Sequence, residues 1–242
     1  MNIRMLGTGG AINNGLPYNS FIINEDLLIE TPPDIMISLF REGINRQEIK
    51  TIYISHFHAD HCFGLPFLLL SNFNDGYRTV TRIIGPEGIE QRTIEICTLA
   101  FGREHRMQKW IREHFIFQEI EGVKKIKIDK RYELTPIKMF HSPETYGFIM
   151  EAEGKKTAYI ADTYWDDSLL EYIKDADTVL IDLNGEKSDT ARVHISENDL
   201  VQYAFPNLKN KDIRFYGTHL KKSKTSDNKN IRYLIPGQEI EI

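Results

Sequence analysis

The sequence predicts an α/β protein built from two packed sheets with helices on the outside. Two observations carry this expectation: two β-rich halves follow one another along the chain, and each half finishes in strand–helix alternation. No repeat is strong enough for a solenoid. The chain has 242 residues, 41% apolar and 27% charged, and no low-complexity tract or Pro/Ser-rich linker divides it. Residues 1–242 are therefore expected to form a single domain with a substantial core.

The first half opens with the short strand "NIRML" and a loop, "GTGGAINNGLPYN". Two hairpin strands follow, "SFIIN" and "LLIE", joined by turn residues Asn24 to Asp26. After Pro32 and Pro33, "DIMISLFREGI" has apolar residues at helical spacing, with Asp34 in its first turn and Gly43 past its end. "TIYIS" reads as a buried strand. "GLPFLLLSNF" looks helical, "TRIIG" is a strand, and "PEGIEQRTIEICTLAF" reads as a helix from Pro86 to Gly102.

The second half alternates apolar and polar residues from Phe115 to Met139. "GFIMEAEGKKTAYIAD" reads as a hairpin turned at Gly154. "DSLLEYIKDAD" is expected to be a helix, "TVLIDL" a strand, "SENDLVQYAF" a helix capped by Ser196, and "DIRFYGTHL" a strand ending at His219.

The formal charge is −5, so the protein as a whole does not attract polyanions; a phosphate-bearing substrate needs local positive charge or metal. Cys62 and Cys97 are the only cysteines, too few for a disulfide framework, and they suit a reducing compartment. The start, "MNIRMLGTGG", has no signal-peptide pattern, and no 18-residue apolar span occurs, so the expectation is a cytoplasmic protein without membrane contact.

The chemistry concentrates in "SHFHADHC", Ser55 to Cys62. His56 and His58 lie two apart and can point the same way in an extended loop. Asp60 and His61 can turn onto an adjacent position as a helix begins. One loop can then serve two metals, and mixed imidazole and carboxylate donors suit zinc first, with manganese or iron as substitutes. Four ligands cannot close two coordination spheres, so further donors must come from strand ends. His105 and His114 lie in a basic helical segment, which leaves His141, His194, His219 and the carboxylate of Asp162. Taken singly these are weak signals, and Asp162 also suits a helix cap for "DTYWDDSLL".

These motifs resemble the metallo-β-lactamase superfamily in order from Leu6 to His219: "LGTGG", "HFHADH", "HSPETYGF", "IADT" and "GTHL". The resemblance implies an αββα four-layer sandwich with two divalent metal ions at one edge of the sheets. It assigns His56, His58 and His141 to the first ion, Asp60, His61 and His219 to the second, and Asp162 to both. A hydroxide shared by the ions is then the expected nucleophile.

The ribonuclease Z and phosphodiesterase branch is the nearest match. "LGTGG" followed by "YNS" resembles its glycine loop, and "YGF" stands where Thr-Pro-Gly commonly follows in glyoxalase II-like and lactamase-like members. "VHIS" at His194 resembles its extra histidine motif, which implies an acid near the leaving oxygen. Asp60 and His194 are thus the candidate catalytic groups.

Ribonuclease Z enzymes carry a long arm between the third-motif histidine and the bridging aspartate, whereas His141 and Asp162 are only 21 positions apart. That favours a small cyclic or linear phosphodiester, or a nucleic-acid end, over tRNA held by its elbow. A thioesterase or lactonase is the alternative activity, and a non-catalytic metal-binding module the alternative class. The basic segments "GREHRMQKWIREH" and "LKKSKTSDNKNIR" are candidate phosphate contacts, against their reading as solvated faces. The fold often dimerises, so a homodimer is a candidate partner, although no self-association signature stands in the sequence.

Overall fold

The computed structural model describes residues 1–77, 81–186, 193–208 and 212–242. Its first half contributes β1 (Asn2–Gly7), β2 (Ser20–Ile23), β3 (Leu27–Ile29), α1 (Ile35–Arg41), β4 (Thr51–Tyr53), α2 (Ala59–Cys62), α3 (Leu65–Asn74), β5 (Thr81–Gly85), α4 (Ile89–Phe101), α5 (Met107–His114) and β6 (Phe115–Glu119). The second half contributes β7 (Ile126–Lys127), β8 (Glu133–Lys138), β9 (Tyr146–Ala152), β10 (Lys155–Ile160), α6 (Leu170–Ile173), β11 (Thr178–Asp182), α7 (Glu197–Asp199), β12 (Arg214–Thr218), β13 (Ile231–Tyr233) and β14 (Glu239–Glu241).

The strands form two seven-stranded sheets, ordered β14-β1-β2-β3-β4-β5-β6 and β13-β12-β11-β10-β9-β8-β7. Each sheet changes character halfway. An antiparallel meander (β1 to β3, β7 to β10) passes into parallel strands (β3 to β6, β10 to β13). The parallel pairs need crossovers, which helices supply except between β12 and β13, where residues 219–230 connect the strands without one.

Residue alternation explains the layering. In β2, Phe21 and Ile23 join the core between the sheets, whereas Ile22 faces the other way, towards Leu39, Leu65, Leu68 and Ile89 of the outer helices. Leu169, Ile173, Leu200 and Ala204 cover the second sheet in the same manner. With both faces buried, the strands read as apolar runs, and the architecture is the αββα four-layer sandwich.

The turns obey their chemistry. Asn24 and Glu25 (φ 47° and 63°) are left-handed in the three-residue β2–β3 connection, and Glu153 and Gly154 (φ 53° and 75°) form a two-residue β9–β10 turn with both central residues left-handed. Three helices depart from expectation. α4 begins at Ile89, after a left-handed Gly88, and not at Pro86. "DSLLEYIKDAD" shortens to a 3-10 turn and α6, ending at Ile173. The helix capped by Ser196 widens into a π-turn over Leu200–Ala204.

Candidate metal centre

The histidine loop leaves β4 and is extended through His58 (φ −70°, ψ 150°), then coils into α2 with Asp60 and His61 in its first turn. This is the extended-to-helical change expected of the sequence. The turn is anchored beside the end of β3: Thr31 N–H donates to the His61 carbonyl (2.8 Å) and Gly64 N–H to the Thr31 carbonyl (2.8 Å). A Cβ on Gly64 would lie 1.9 Å from the Pro32 carbonyl oxygen, so only glycine permits this crossing.

Two of the other donors sit at the carboxyl ends of parallel strands, Asp162 after β10 and His219 after β12, and His141 follows the antiparallel β8. His56 Nε2 is 3.0 Å from His58 Nδ1, which is 3.3 Å from His141 Nε2. Across the cleft His61 Nε2 is 3.3 Å from His219 Nε2, with Asp60 Oδ2 at 3.4 and 3.2 Å from them. Asp162 lies 3.5 Å from His61 and 3.4 Å from His219, and its carboxylate also groups with His56. The helix cap suggested for Asp162 falls instead to Asp166, whose side chain accepts from Ser168 N–H.

These donors fit divalent cations. Ring nitrogens of His61 and His219 aim at one another between two carboxylates, and the buried Asp162 Oδ1 makes no hydrogen bond. Groups of three donors, His56–His58–His141, His56–His61–Asp162 and Asp60–His61–His219, each converge with ligand atoms within 4.8 Å of one another. Such an imidazole and carboxylate set suits zinc and its neighbours.

Two carboxylates that sequence reasoning missed stand behind the rings. Asp182, ending β11, has Oδ2 2.6 Å from His194 Nδ1 and Oδ1 3.4 Å from His219 Nδ1. Its signal in the sequence was the same as that of Asp162: a carboxylate closing an apolar strand. Glu30, fully buried just after β3, has Oε1 3.4 Å from His61 Nδ1 and accepts from Tyr159 OH (3.2 Å) and Ser55 N–H (3.2 Å). With Ser55 Oγ 2.9 Å from His56 Nδ1, three rings have a polar group at their rear nitrogen, which orients the front nitrogen into the centre.

Charge follows position. Burial pushes His56, His58 and His141 below the ordinary histidine range, which keeps their lone pairs free for a cation. Burial also opposes charge on His61 and His219. Their carboxylate neighbours prevail: Asp162 and Glu30 raise His61 well above its usual value, and Asp162 and Asp182 raise His219 to about 10. Despite its burial, Asp60 is held well below the carboxylate range by hydrogen bonds from His219 and His61, and Asp162 by the charges of the same rings. His194 is raised by Asp182, again against burial.

The remaining candidates separate cleanly. His114 stacks on Trp110, and His105 packs edge-on to Phe73, both in the helical layer. In the second basic segment Lys224 donates to the Leu183 carbonyl (3.3 Å), next to Asp182. The glycine loop abuts the centre, since a Cβ on Gly10 would meet His219 Cε1 at 3.0 Å and the Asn184 amide nitrogen at 2.9 Å. His219 itself is left-handed (φ 60°), a strained state for a non-glycine residue that turns it back over the strand ends.

Comparison with known proteins agrees with this picture. A ribonuclease Z of Borrelia duttonii is 31% identical over 163 residues, covering 64% of this chain and 49% of that one, so the chain spans about half the length of this curated relative. The short form of human tRNase Z superposes with a TM-score of 0.78 at 17% identity, covering 100% and 99% of the two chains. The metallo-β-lactamase fold protein YhfI from Bacillus subtilis superposes at 0.76 and 16% identity, covering 99% of each. These two likenesses establish the shared fold. Residues 1–238 match the family described as Anti-Pycsar protein Apyc1, and the chain belongs to that family, with a sequence similar to ribonuclease Z and a metallo-β-lactamase fold.

Proposed function

We propose that residues 1–242 form one metal-dependent hydrolase domain, acting in the cytoplasm, that cleaves a phosphodiester in a small cyclic or linear molecule or at a nucleic-acid end. His56, His58 and His141 would hold one divalent ion, Asp60, His61 and His219 a second, and Asp162 would reach both; zinc is the first choice. Two such ions lower the pKa of water from 15.7 towards about 7 and neutralise charge on phosphoryl oxygens.

The observation that carries the reading is the His194–Asp182 pair. Asp182 accepts from His194 Nδ1 at 2.6 Å, which leaves Nε2–H as the proton to give. The His194 ring lies 5.2 Å from that of His219 and 6.1 Å from that of His141, beside both donor sets. An alkoxide leaving group needs such a proton, and a positioned acid contributes typically 10²–10⁴-fold. Asp60 acts here by holding its charge against His61 and His219.

Substrate size follows from the chain between His141 and Asp162. β9, a two-residue turn and β10 occupy most of it, with no projecting arm. The name ribonuclease carried by the curated relative supports the phosphodiester as the bond attacked. A homodimer remains compatible with this assignment and is not required by it.

The test is a panel of an aryl phosphodiester, a cyclic nucleotide, a lactone and a glutathione thioester, before and after a strong chelator. Chelator-sensitive phosphodiester turnover, well above the other two bonds, is expected. Faster lactone or thioester turnover, or activity indifferent to prolonged chelation, overturns the reading.

A further inference from the structure

We propose that the protein binds a phosphate group, as the free ion or as a small phosphomonoester, in a cavity at the end of the sandwich opposite the metal centre, between Arg82, Lys50 and Arg131. The cavity holds about 250 Å³. It opens at the amino ends of the parallel strands: Asp26 precedes β3, Lys50 precedes β4, and Arg82 is the second residue of β5. Asp129 and Arg131, in the β7–β8 turn of the second sheet, close it. Thr51, which begins β4, is five residues from His56, or roughly 17 Å along an extended chain, so this site is separate from the metal centre and independent of its chemistry.

Three cations and two carboxylates line the cavity, and the carboxylates are already engaged. Asp26 accepts from the Tyr132 hydroxyl and from Arg131, and Arg131 also holds Asp129 through Nε (2.7 Å). Arg82 is placed differently. It spends its donors on neutral oxygens, Gln118 Oε1 (3.3 Å) and the carbonyls of Lys127 (2.9 Å) and Ile128 (2.8 Å), and its Nε–H is buried with no acceptor among the described residues. Burial pushes this guanidinium below its usual range, and the charge of Asp129 opposes the shift only in part. A cation taken from water without a counter-anion is costly, and an anion beside it recovers that cost.

Lys50 supplies the second free charge. It reaches Asp26 only at 3.9 Å and its side chain is 60% exposed, so its ammonium can swing onto a ligand. Cations that arrive from β4, β5 and the second sheet suit a tetrahedral dianion with several acceptor oxygens better than a planar carboxylate, and guanidinium forks match phosphate oxygens. The volume lies below that of drug-sized pockets, which fits an ion or a small ester and excludes a nucleic-acid strand.

The floor is fixed in advance. Lys50 N–H donates to the Asp26 carbonyl (2.9 Å) and Arg82 N–H to the Lys50 carbonyl (3.0 Å). Since Arg82 belongs to the first sheet and bonds the β7–β8 turn of the second, an anion held there ties the two sheets and should raise the Tm.

The experiment titrates inorganic phosphate, ribose 5-phosphate and acetate into the metal-loaded protein by calorimetry, with melting curves in parallel. Arg82→Gln should weaken phosphate binding by about 10- to 100-fold and abolish the Tm rise. Lys50→Ala should weaken it by about 2- to 5-fold, and Asp129→Asn, which releases Arg131 and removes a repelling charge, should tighten it by a similar factor. Lys50 and Asp129 are surface side chains, so the opposite signs of these two effects decide the matter even where Arg82→Gln fails to fold. Tighter binding of the ester than of the ion assigns the cavity to a phosphomonoester, and the reverse to free phosphate. Three results overturn the site: no binding in the millimolar range, binding indifferent to the Lys50 and Arg82 substitutions, which would place the anion on the metal ions, or acetate bound as tightly as phosphate.

Discussion

His194 Nδ1 and Asp182 Oδ2 stand 2.6 Å apart, joining a residue ahead of α7 to the end of β11, at the margin of a cluster of seven further histidine and aspartate donors. The carboxylate fixes the ring's tautomer and favours its charged form, so the pair has the composition of a general acid with its orienting partner. Replacement His194→Ala should lower kcat by about 10²- to 10⁴-fold on an alkoxide-leaving ester, with bound metal, measured by elemental analysis, at the wild-type level. An aryl ester with a good leaving group should suffer less. Equal losses on both esters would falsify the acid role.

The pH profile carries a sign. Asp182 raises His194 above the ordinary 6.5 against burial, so the proton-donating form persists to higher pH than in a free imidazole and kcat should fall as pH climbs through that raised value. Asp182→Asn removes the raising charge, and the alkaline limb should move to lower pH. A limb that stays in place assigns it to another group.

Stability of the metal-free protein should follow the same direction. His61, His194 and His219 all have folded values above 6.5, so their ion pairs stabilise fully below about pH 6.5 and are lost as pH rises through the folded values, about 10 for His219. Its Tm should therefore decline between pH 7 and 10. Metal-loaded protein should decline less, since divalent charge then balances Asp60 and Asp162. Parallel melting curves check this, and coincident slopes argue against ion binding at the cluster.

Metal addition gives a magnitude. A ligand at 100 times its Kd stabilises by about 2.7 kcal/mol, which for 242 residues corresponds to a Tm rise of roughly 5–10 °C. Asp162→Asn, which alters the carboxylate within reach of both donor sets, should reduce both the rise and the bound stoichiometry. A variant that melts and binds zinc like the wild type removes Asp162 from the centre.

How much of this was legible depended on whether a signal was local. Alternation in "SFIIN" and helical spacing in "DIMISLFREGI" are set within a few residues, and both elements formed where expected. The histidine loop was legible because four donors crowd six positions. Asp182 was not, because "TVLIDL" is an ordinary strand until parallel pairing of β10, β11 and β12 brings its last residue between Asp162 and His219. The helix after Ser196 keeps its capping box with Asp199, yet its π-turn depends on packing of Leu200 and Ala204 against the second sheet, which periodicity does not encode. The run after His219 reads as solvated charge, and only the fold shows Lys224 tied to the Leu183 carbonyl.

Glu30 is the other residue that only the fold reveals, and it supports a sharper test. Its backbone is left-handed (φ 64°), a costly state for a non-glycine residue that persists only where surroundings enforce it. The carboxylate repays that strain by accepting from Ser55 N–H and Tyr159 OH while lying 3.4 Å from His61 Nδ1, so one buried group holds both ends of the histidine loop. Glu30→Gln keeps the volume but removes the charge and places an amide N–H among donors. Metal affinity should weaken by about 10- to 100-fold, as for other partners of metal-bound histidines. Glu30→Ala strands the Ser55 and Tyr159 donors, at about 1–3 kcal/mol each, and should also lower the Tm of the metal-free protein. Metal titration and melting separate the two effects: an unchanged zinc affinity in a folded Glu30→Gln variant would mean that His61 is oriented without this carboxylate.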